Sequence, residues 1–494
     1  MILSRAFIIL VFISFSQLAY SNFDFNANCV NAYQNILSLK LNTARILISA
    51  EKRKNPSNSI PYLLDNYVDY FSLMTTDNKA DFDRFKDRKN ERISRIENDD
   101  KSSPYYLFAL AEINLQLALS RSRANEYFTA SLEVNRAYMQ LQENAKRFPE
   151  FLPNQKNLGI INAVLGSIPD GLRLALSAFG IRGDTRTGVR ILESLIEKLP
   201  RSTYSHFYDE TVFYYSVIQT DIIPDPANYG KIMKNTEDMD RESLLKTYIR
   251  SYAGVKMGNT RNALVELNKR PSGSIYPAYP YLDYLSGIAK MQNLDPTALL
   301  SFNAYLKGYR GVNLIKDTYL QLAWLELIIR GNTKAYQYYV ETVKQKGYEL
   351  HGRDKQAMRE VGYGIPDISL LKARLLSDGG NYERALSQLS GKTTEDFKTL
   401  MYKIEFNYRM GRICDLTSKD ELALKYYQKA IDLGKNEPYS FASNSALRSG
   451  IIYEKNKNKA RAKQYYNVAI NMKDHDYENS IENRAKEGLK RVGD

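Results

Sequence analysis

Small and aromatic residues recur at helical spacing along the chain, most regularly near its C-terminus. Ala423, Tyr427 and Ala430 stand at positions i, i+4 and i+7, which share one face of an α-helix. The same residue types return 39 positions later, between Ala462 and Ala469. A fixed offset between separated residues indicates a duplicated structural unit. The pattern therefore predicts two copies of one helical unit.

A glycine precedes each copy and keeps the same offset. Gly411 and Gly450 lie twelve residues before the first alanine of their unit, on the helix expected to pack against it. Small residues at facing positions let two helices approach closely, and the tyrosine fills the remaining gap. The unit is therefore a pair of antiparallel helices. A lengthened connection, the loop 434–439, accounts for the 39-residue period of the repeat.

This unit, with Gly on one helix and Ala-x3-Tyr-x2-Ala on the next, resembles the tetratricopeptide repeat family, whose usual period is 34 residues. The resemblance implies an all-α fold, a right-handed α-solenoid of antiparallel helix pairs. Stacked pairs bury their apolar faces on each other and leave a long concave surface. The resemblance implies a role in binding protein or peptide partners in that groove.

Weaker units of the same kind occur upstream. Gly380-x-Tyr382-x-x-Ala385 matches the turn between two repeat helices, and Ala298-x3-Phe302 follows the small pair Ser286-Gly287. Residues 105–147 have the apolar pattern of a helical hairpin, and residues 28–53 of one long helix. Sustained alternation of apolar and polar residues is absent, so strands are not expected.

The first 21 residues have the pattern of a secretion signal. Arg5 is followed by the apolar run 6–15, and Ala19-Tyr20-Ser21 ends in a small-x-small cleavage pattern. We expect cleavage before Asn22. Cys29 lacks the residues of a lipoprotein cleavage site, so no lipid anchor is expected.

Composition changes divide the remaining chain into three parts. A polar stretch ending at Pro104 separates an N-terminal helical region, 22–103, from helical hairpin repeats with an apolar centre, 104–346. A stretch rich in glycine and charge, 347–366, then precedes C-terminal repeats that extend over 366–494.

The most apolar part, 157–199, carries a second resemblance. Helices are predicted over 158–168, 170–179 and 187–199, and Asp184 or Thr185 is expected to cap the last of them. The signature Pro169…Gly180-x-x-Gly183-Asp184-x-x-x-Gly188 resembles a eukaryotic tetratricopeptide subfamily linked to outer membranes, inclusion-body clearance and lipid handling. The export signal departs from that subfamily, so its location and partners do not carry over. The subfamily offers no catalytic residue.

The net charge of +13, or +12 once Arg5 is removed, is spread along the chain with acidic residues interspersed. A solvated basic face and attraction to an anionic envelope surface are both consistent with it. No RNA-binding fingerprint appears, so nucleic acid is not an expected partner. Asn-x-Ser/Thr sites are absent although Asn is abundant, which favours a bacterial envelope. We predict export to the periplasm or to association with the outer membrane.

The residues offer no catalytic or metal-binding set. Only three histidines occur; His206 has Asp209 and Glu210 nearby, but no second histidine stands at metal-site spacing. Ser390-Gly391-Lys392-Thr393 follows a predicted helix and lacks the earlier glycine of a phosphate-binding loop. No enzyme activity, cofactor or metal is therefore predicted. A solenoid could still bring two distant carboxylates together, and the sequence names no such pair.

Tyrosine is abundant, with 38 tyrosines against one tryptophan, and three of them occupy a stiff proline-rich connection: Tyr276, Tyr279 and Tyr281. They could stack on a sugar or grip a peptide, or they could fill the joint between two hairpins. The first function hypothesis is an exported, non-enzymatic scaffold for protein or peptide partners. The alternative is a glycan- or nutrient-binding protein of the outer envelope, with these tyrosines as ligand contacts.

Overall fold

A computed structural model describes residues 23–167, 183–223 and 225–493. The predicted signal, 1–21, and the helix predicted over 170–179 lie outside the described residues. Within those ranges the regular structure is helical and no strand occurs. None of the described helices combines the length and apolarity that crossing a bilayer requires.

Twenty-four α-helices occur in the described residues. The first twelve are α1 (Ala27–Leu37), α2 (Leu41–Lys54), α3 (Ile60–Thr76), α4 (Lys79–Glu97), α5 (Pro104–Arg123), α6 (Tyr127–Arg147), α7 (Pro153–Ser167), α8 (Thr185–Lys198), α9 (Tyr208–Asp221), α10 (Tyr229–Asn235), α11 (Leu244–Lys256) and α12 (Thr260–Asn268). The others are α13 (Pro280–Met291), α14 (Ala298–Gly308), α15 (Ile315–Ile328), α16 (Thr333–Gln345), α17 (Gly352–Gly362), α18 (Ile368–Asp378), α19 (Tyr382–Leu389), α20 (Leu400–Leu416), α21 (Asp420–Gly434), α22 (Phe441–Lys455), α23 (Lys459–Asn471) and α24 (Glu478–Gly493).

Helices joined by short connections pack as pairs, among them α5 with α6, α15 with α16, α20 with α21 and α22 with α23. Successive pairs stack, so the first helix of one pair also contacts the first helix of the next, as α18 contacts α20 and α20 contacts α22. The predicted class, an all-α solenoid, is confirmed.

The repeat signature marks close contacts between facing helices. A Cβ added to Gly411 would lie 2.5 Å from Cδ1 of Tyr427, and one added to Gly450 would lie 2.6 Å from Cδ1 of Tyr466. Both rings are fully buried. Each ring therefore occupies the space that a side chain on the facing helix would need. This geometry bears out the tetratricopeptide-like pairing predicted from the sequence.

An acidic residue that was not predicted from the sequence completes the unit. The Tyr427 hydroxyl donates to Asp415 at 3.0 Å, and the Tyr466 hydroxyl donates to Glu454. The two acids keep the 39-residue offset. Each tyrosine can therefore be buried because its hydroxyl is hydrogen-bonded.

The same contact occurs in the central repeats. A Cβ on Gly287 would lie 2.5 Å from Cδ1 of Phe302, and one on Gly254 would lie 2.9 Å from Cβ of Ala263. Gly287 and Phe302 thus face each other as predicted, whereas the contact between Gly254 and Ala263 was not predicted.

One local expectation differs from the structure. Residues 28–53 form two helices, because Leu39 between them adopts a left-handed conformation, with φ of 59°, and buries its side chain. The stretch 347–366, where a boundary was predicted, contains α17. At the third apolar helix the N-cap expectation is confirmed, since the Asp184 side chain accepts from the Thr187 N–H.

One continuous apolar core joins residues from Phe23 to Leu375. The division into domains stays a prediction.

We expect Gly411→Ala to destabilise the C-terminal repeats, because the new methyl group would overlap the Tyr427 ring. Overpacking of this kind costs about 1–3 kcal/mol. Hydrogen exchange followed by mass spectrometry should show faster exchange in α20–α22 and unchanged exchange in α3–α5. Gly230→Ala in α10 is the control, since no atom lies within 4 Å of its Cβ position. Equal loosening of both halves by Gly411→Ala would contradict this prediction.

Candidate functional site

A cavity of about 280 Å³ opens between the first helices of the C-terminal pairs. Its walls come from α15, α17, α18, α20 and α22, and from the segments that precede α18, α22 and α24. None of the lining residues belongs to the second helices α16, α19, α21 or α23. The cavity is therefore part of the inner surface of the stack.

Aromatic rings form much of the wall. Tyr363 and Tyr439 lie edge to face with ring centroids 5.7 Å apart, and Tyr408 and Phe441 have centroids 5.6 Å apart. The Tyr402 hydroxyl donates to the backbone carbonyl of Ile365 at 2.6 Å and holds the loop before α18 against α20. Rings fixed in this way present a rigid apolar surface.

Each of two arginines in the wall is paired with an acid and covers an aromatic ring. Arg374 donates to Glu360 at 2.7 Å and lies 5.2 Å from the ring of Trp324. Burial alone would raise the pKa of Glu360, but Arg374, together with Gln356 and Arg409, outweighs it and lowers that pKa. Arg409 donates to Glu405 at 2.8 Å and covers the rings of Tyr408 and Phe441.

A third arginine is less completely satisfied. Arg359 lies 4.1 Å from the centroid of the Tyr477 ring, and its Nε stands 3.9 Å from Asp476, beyond hydrogen-bond distance. Within the described ranges this buried Nε has no hydrogen-bond partner. Asp476 also accepts from the Tyr363 hydroxyl, and burial raises its pKa.

Large apolar side chains that line the cavity or adjoin its lining residues in sequence face solvent. Tyr363 is 40% exposed and Ile365 50% exposed, and Ile368 and Leu400 are exposed beside them. Exposed apolar side chains grouped around a cavity mark a contact surface more often than scattered ones do.

None of these groove residues was predicted as a site from the sequence, because they come from five helices. A partial signal was present in the acid and arginine pair at i, i+4, Glu405 and Arg409, and in the single tryptophan, Trp324.

The tyrosines predicted as ligand contacts lie elsewhere. Tyr279 is buried and Tyr281 half-buried in a run of tyrosine rings that includes Tyr248, with centroids 5.6 Å and 6.1 Å from it. Tyr276 is half-buried and donates to the backbone carbonyl of Glu242 at 2.7 Å. The structure brings Tyr279 and Tyr281 together but not Tyr276. Their role as ligand contacts stays a prediction.

Two distant carboxylates do meet, in the N-terminal half. Lys156 on α7 donates to Glu112 on α5 at 2.9 Å and to Glu210 on α9 at 2.5 Å. Tyr33 on α1 and Tyr67 on α3 also donate to Glu210. First helices of consecutive pairs thus converge on one lysine.

This cluster is sealed inside the protein. Lys156 and Glu210 have no exposed side-chain surface, and the rings of Phe108 and Phe207 cover the lysine. Burial, only partly offset by Lys156, raises the pKa of Glu210 to about 7, and the charge of Glu112 adds to the rise. A substrate cannot reach these carboxylates in this arrangement, so their role here is structural.

His206 is enclosed by aromatic rings, with Phe25 and Phe207 at centroid distances of 4.6 Å and 4.5 Å. Burial lowers its pKa to about 4. Among the described residues no group of three or more histidines, cysteines or acids could hold a metal ion.

Searches against protein-family models and against curated proteins find no match. Among solved structures, the crystal structure of yeast Tom70 aligns with 94% of this chain and 96% of its own, at 10% identity and a TM-score of 0.24. At that TM-score the alignment supports no conclusion about the fold or the function of this chain.

We expect Glu210 to make stability pH-dependent. Its folded-state pKa lies above its ordinary value of 4.5, so between pH 4.5 and about 7 the folded state holds more protons than the unfolded state. Stability contributed by this group is present at low pH and is lost as the pH rises through that window.

Urea titrations across this window should show wild type losing stability relative to Glu210→Gln, which cannot titrate. Glu150→Gln serves as control, since Glu150 is exposed and forms no ion pair within the described residues. Parallel pH profiles for wild type and Glu210→Gln would contradict the expectation.

Proposed function

We propose that this protein is a non-enzymatic scaffold that holds a segment of a protein partner in the groove between its C-terminal first helices. The observation that carries the proposal is the lining of that groove. Aromatic rings, paired ions and an unsatisfied arginine nitrogen come together there from consecutive helix pairs, and exposed apolar side chains surround them.

The size and chemistry of the groove favour a peptide over a small cofactor. Pockets for small ligands usually enclose about 300–1,000 Å³ and bury most of the ligand. The present cavity, about 280 Å³, suits one or two side chains of a longer chain. A peptide lying along the groove could place an apolar side chain in the cavity and its backbone against the surrounding charged groups.

We further propose that the protein acts in a bacterial envelope, after export directed by residues 1–21. The support is the sequence pattern of a basic residue, a short apolar run and a small-x-small motif. Contact with an anionic envelope surface would follow from the net positive charge.

Residues 1–30 fused to alkaline phosphatase, an enzyme active only after export, should yield activity in a bacterial host. Replacing the apolar positions Ile8, Ile9 and Leu10 with Asp should abolish that activity, because a charged run cannot serve as the apolar core of a signal. Equal activity from the two fusions would refute the export proposal.

Peptides selected from a random display library against the full mature chain should depend on the groove. We expect Tyr363→Ala to weaken their binding about tenfold or more, because truncating an aromatic contact at the centre of an interface commonly costs 2 kcal/mol or more. Tyr338→Ala, at a tyrosine 66% exposed on the second helix α16, is the matched control. Failure to select any peptide that depends on Tyr363 would contradict the proposed function.

A further inference from the structure

A second cavity, the N-terminal cavity, lies where the first helix hairpins meet the central ones, and its volume is about 380 Å³. Leu73 and Met74 on α3 and Phe82 on α4 form part of its wall. Val312, before α15, and Leu350, before α17, form another part. Phe82 and Val312 are 230 residues apart in the sequence, so the cavity exists only because the stack brings the two regions together.

A hydrogen-bonded contact fixes the two regions against each other at the edge of this cavity. Asp77, which lies between α3 and α4, accepts from the Tyr309 hydroxyl at 2.6 Å and from the Asn313 side-chain amide at 2.9 Å. The backbone carbonyl of Asp77 lies 2.5 Å from the position that a Cβ on Gly311 would take. The cavity is therefore bounded by closely packed backbone and is built into the fold.

The size and lining of the N-terminal cavity are those of a small-molecule site. Pockets for small ligands usually enclose about 300–1,000 Å³ and have mainly apolar walls with a few polar groups. Three apolar side chains at this cavity face solvent: Tyr348 is 63% exposed, Leu350 51% and Val312 40%. A ligand that covered them would gain the free energy of removing apolar surface from water.

The charged side chains of the wall indicate that the ligand is uncharged. Within the described residues each of them already has an ion-pair partner: Lys79 with Asp83, Glu126 with Arg121, and Arg123 with Asp77. A charged ligand would have to compete for one of these partners or lie against the apolar wall without a counter-charge. Both cost free energy, because a charge withdrawn from water must be paired.

Arg123 nevertheless offers hydrogen bonds to a ligand. Its side chain lines the cavity and is 54% exposed. A guanidinium group has five N–H donors, and in the described part of the chain the hydrogen bond of Arg123 to Asp77 uses one terminal nitrogen, at 3.1 Å. The positive charge is balanced by Asp77, so the remaining donors suit a neutral acceptor such as a carbonyl or ether oxygen.

We propose that the N-terminal cavity binds an uncharged, largely apolar small molecule whose body lies between the apolar walls and whose oxygen accepts from Arg123. The site is separate from the C-terminal groove and goes beyond the proposed function. A small molecule fits these walls better than a peptide, because backbone N–H and C=O groups of a peptide would be left unpaired against apolar side chains.

Prodan, an uncharged naphthalene ketone whose emission shifts to the blue in apolar surroundings, is a direct probe of the site. Fluorescence titration of the full mature chain should show saturable binding with a blue shift. Leu350→Glu should weaken that binding about tenfold or more, because it places a charge in the apolar wall. Leu422→Glu, at a leucine 42% exposed on the second helix α21, is the matched control and should leave binding unchanged. Tyr363→Ala, in the C-terminal groove, should also leave it unchanged.

Three naphthalenes that differ in one substituent test the role of Arg123, each measured by competition with Prodan. Arg123→Met should weaken 2-acetylnaphthalene about tenfold, since a hydrogen bond from a charged donor is lost, and leave 2-ethylnaphthalene unchanged. Arg461→Met, on the exposed side of α23, removes the same charge and should affect neither. In wild type, 2-naphthoate should bind less tightly than 2-acetylnaphthalene, because its carboxylate has no unpaired counter-charge.

Hydrogen exchange of wild type locates the ligand without any substitution. Saturating Prodan should slow exchange both in residues 73–83 and in residues 309–313, because the ligand contacts the two regions together.

Four outcomes would overturn the inference. The first is no saturable binding of Prodan by wild type, and the second is equal weakening by Leu350→Glu and Leu422→Glu. Tighter binding of 2-naphthoate than of 2-acetylnaphthalene would show that the ligand is an anion. Slower exchange confined to the C-terminal helices, with loss of Prodan binding in Tyr363→Ala, would place the probe in the groove instead.

Discussion

The stack depends on close approach of two helices at a glycine, with an aromatic ring filling the space beside it. At Gly411, Gly450 and Gly287, ring atoms stand about where a Cβ would otherwise be. Packing of this density gains dispersion and hydrophobic energy from every atom in the joint, and any added atom must displace the ring. In the C-terminal copies an acid accepts from the tyrosine hydroxyl, so the joint buries a large ring whose hydroxyl is hydrogen-bonded.

Helix pairs joined this way form an inner layer of first helices, and the two halves of the molecule use that layer differently. In the N-terminal half, α1, α3, α5, α7 and α9 close around Lys156 and two carboxylates, and no solvent reaches them. In the C-terminal half, the inner layer stays open and presents a cavity lined by aromatic rings and ions. One architecture therefore provides both a closed, rigid body and an open inner surface.

The N-terminal and C-terminal halves also differ in how their charged side chains are paired. The buried lysine is shared by two acids and covered by rings, as a charge withdrawn from water must be if the fold is to tolerate it. Along the open inner layer, the buried Nε of Arg359 has no hydrogen-bond partner within the described residues and stands 3.9 Å from Asp476. An incompletely paired charge beside a cavity supports the proposed binding role.

The all-α class, the helix pairing near the C-terminus and the facing of Gly411 and Tyr427 follow from the chain alone, because helical periodicity and a fixed repeat offset are carried by residues close in the chain. The separation of α1 from α2 does not, since the left-handed conformation of Leu39 interrupts the helix without interrupting its apolar pattern. Which charges meet depends on how the helix pairs stack. Tyr33 and Glu210 are 177 residues apart, and the groove residues come from five helices. Their proximity depends on the angle at which successive pairs stack, and many small contacts set that angle together.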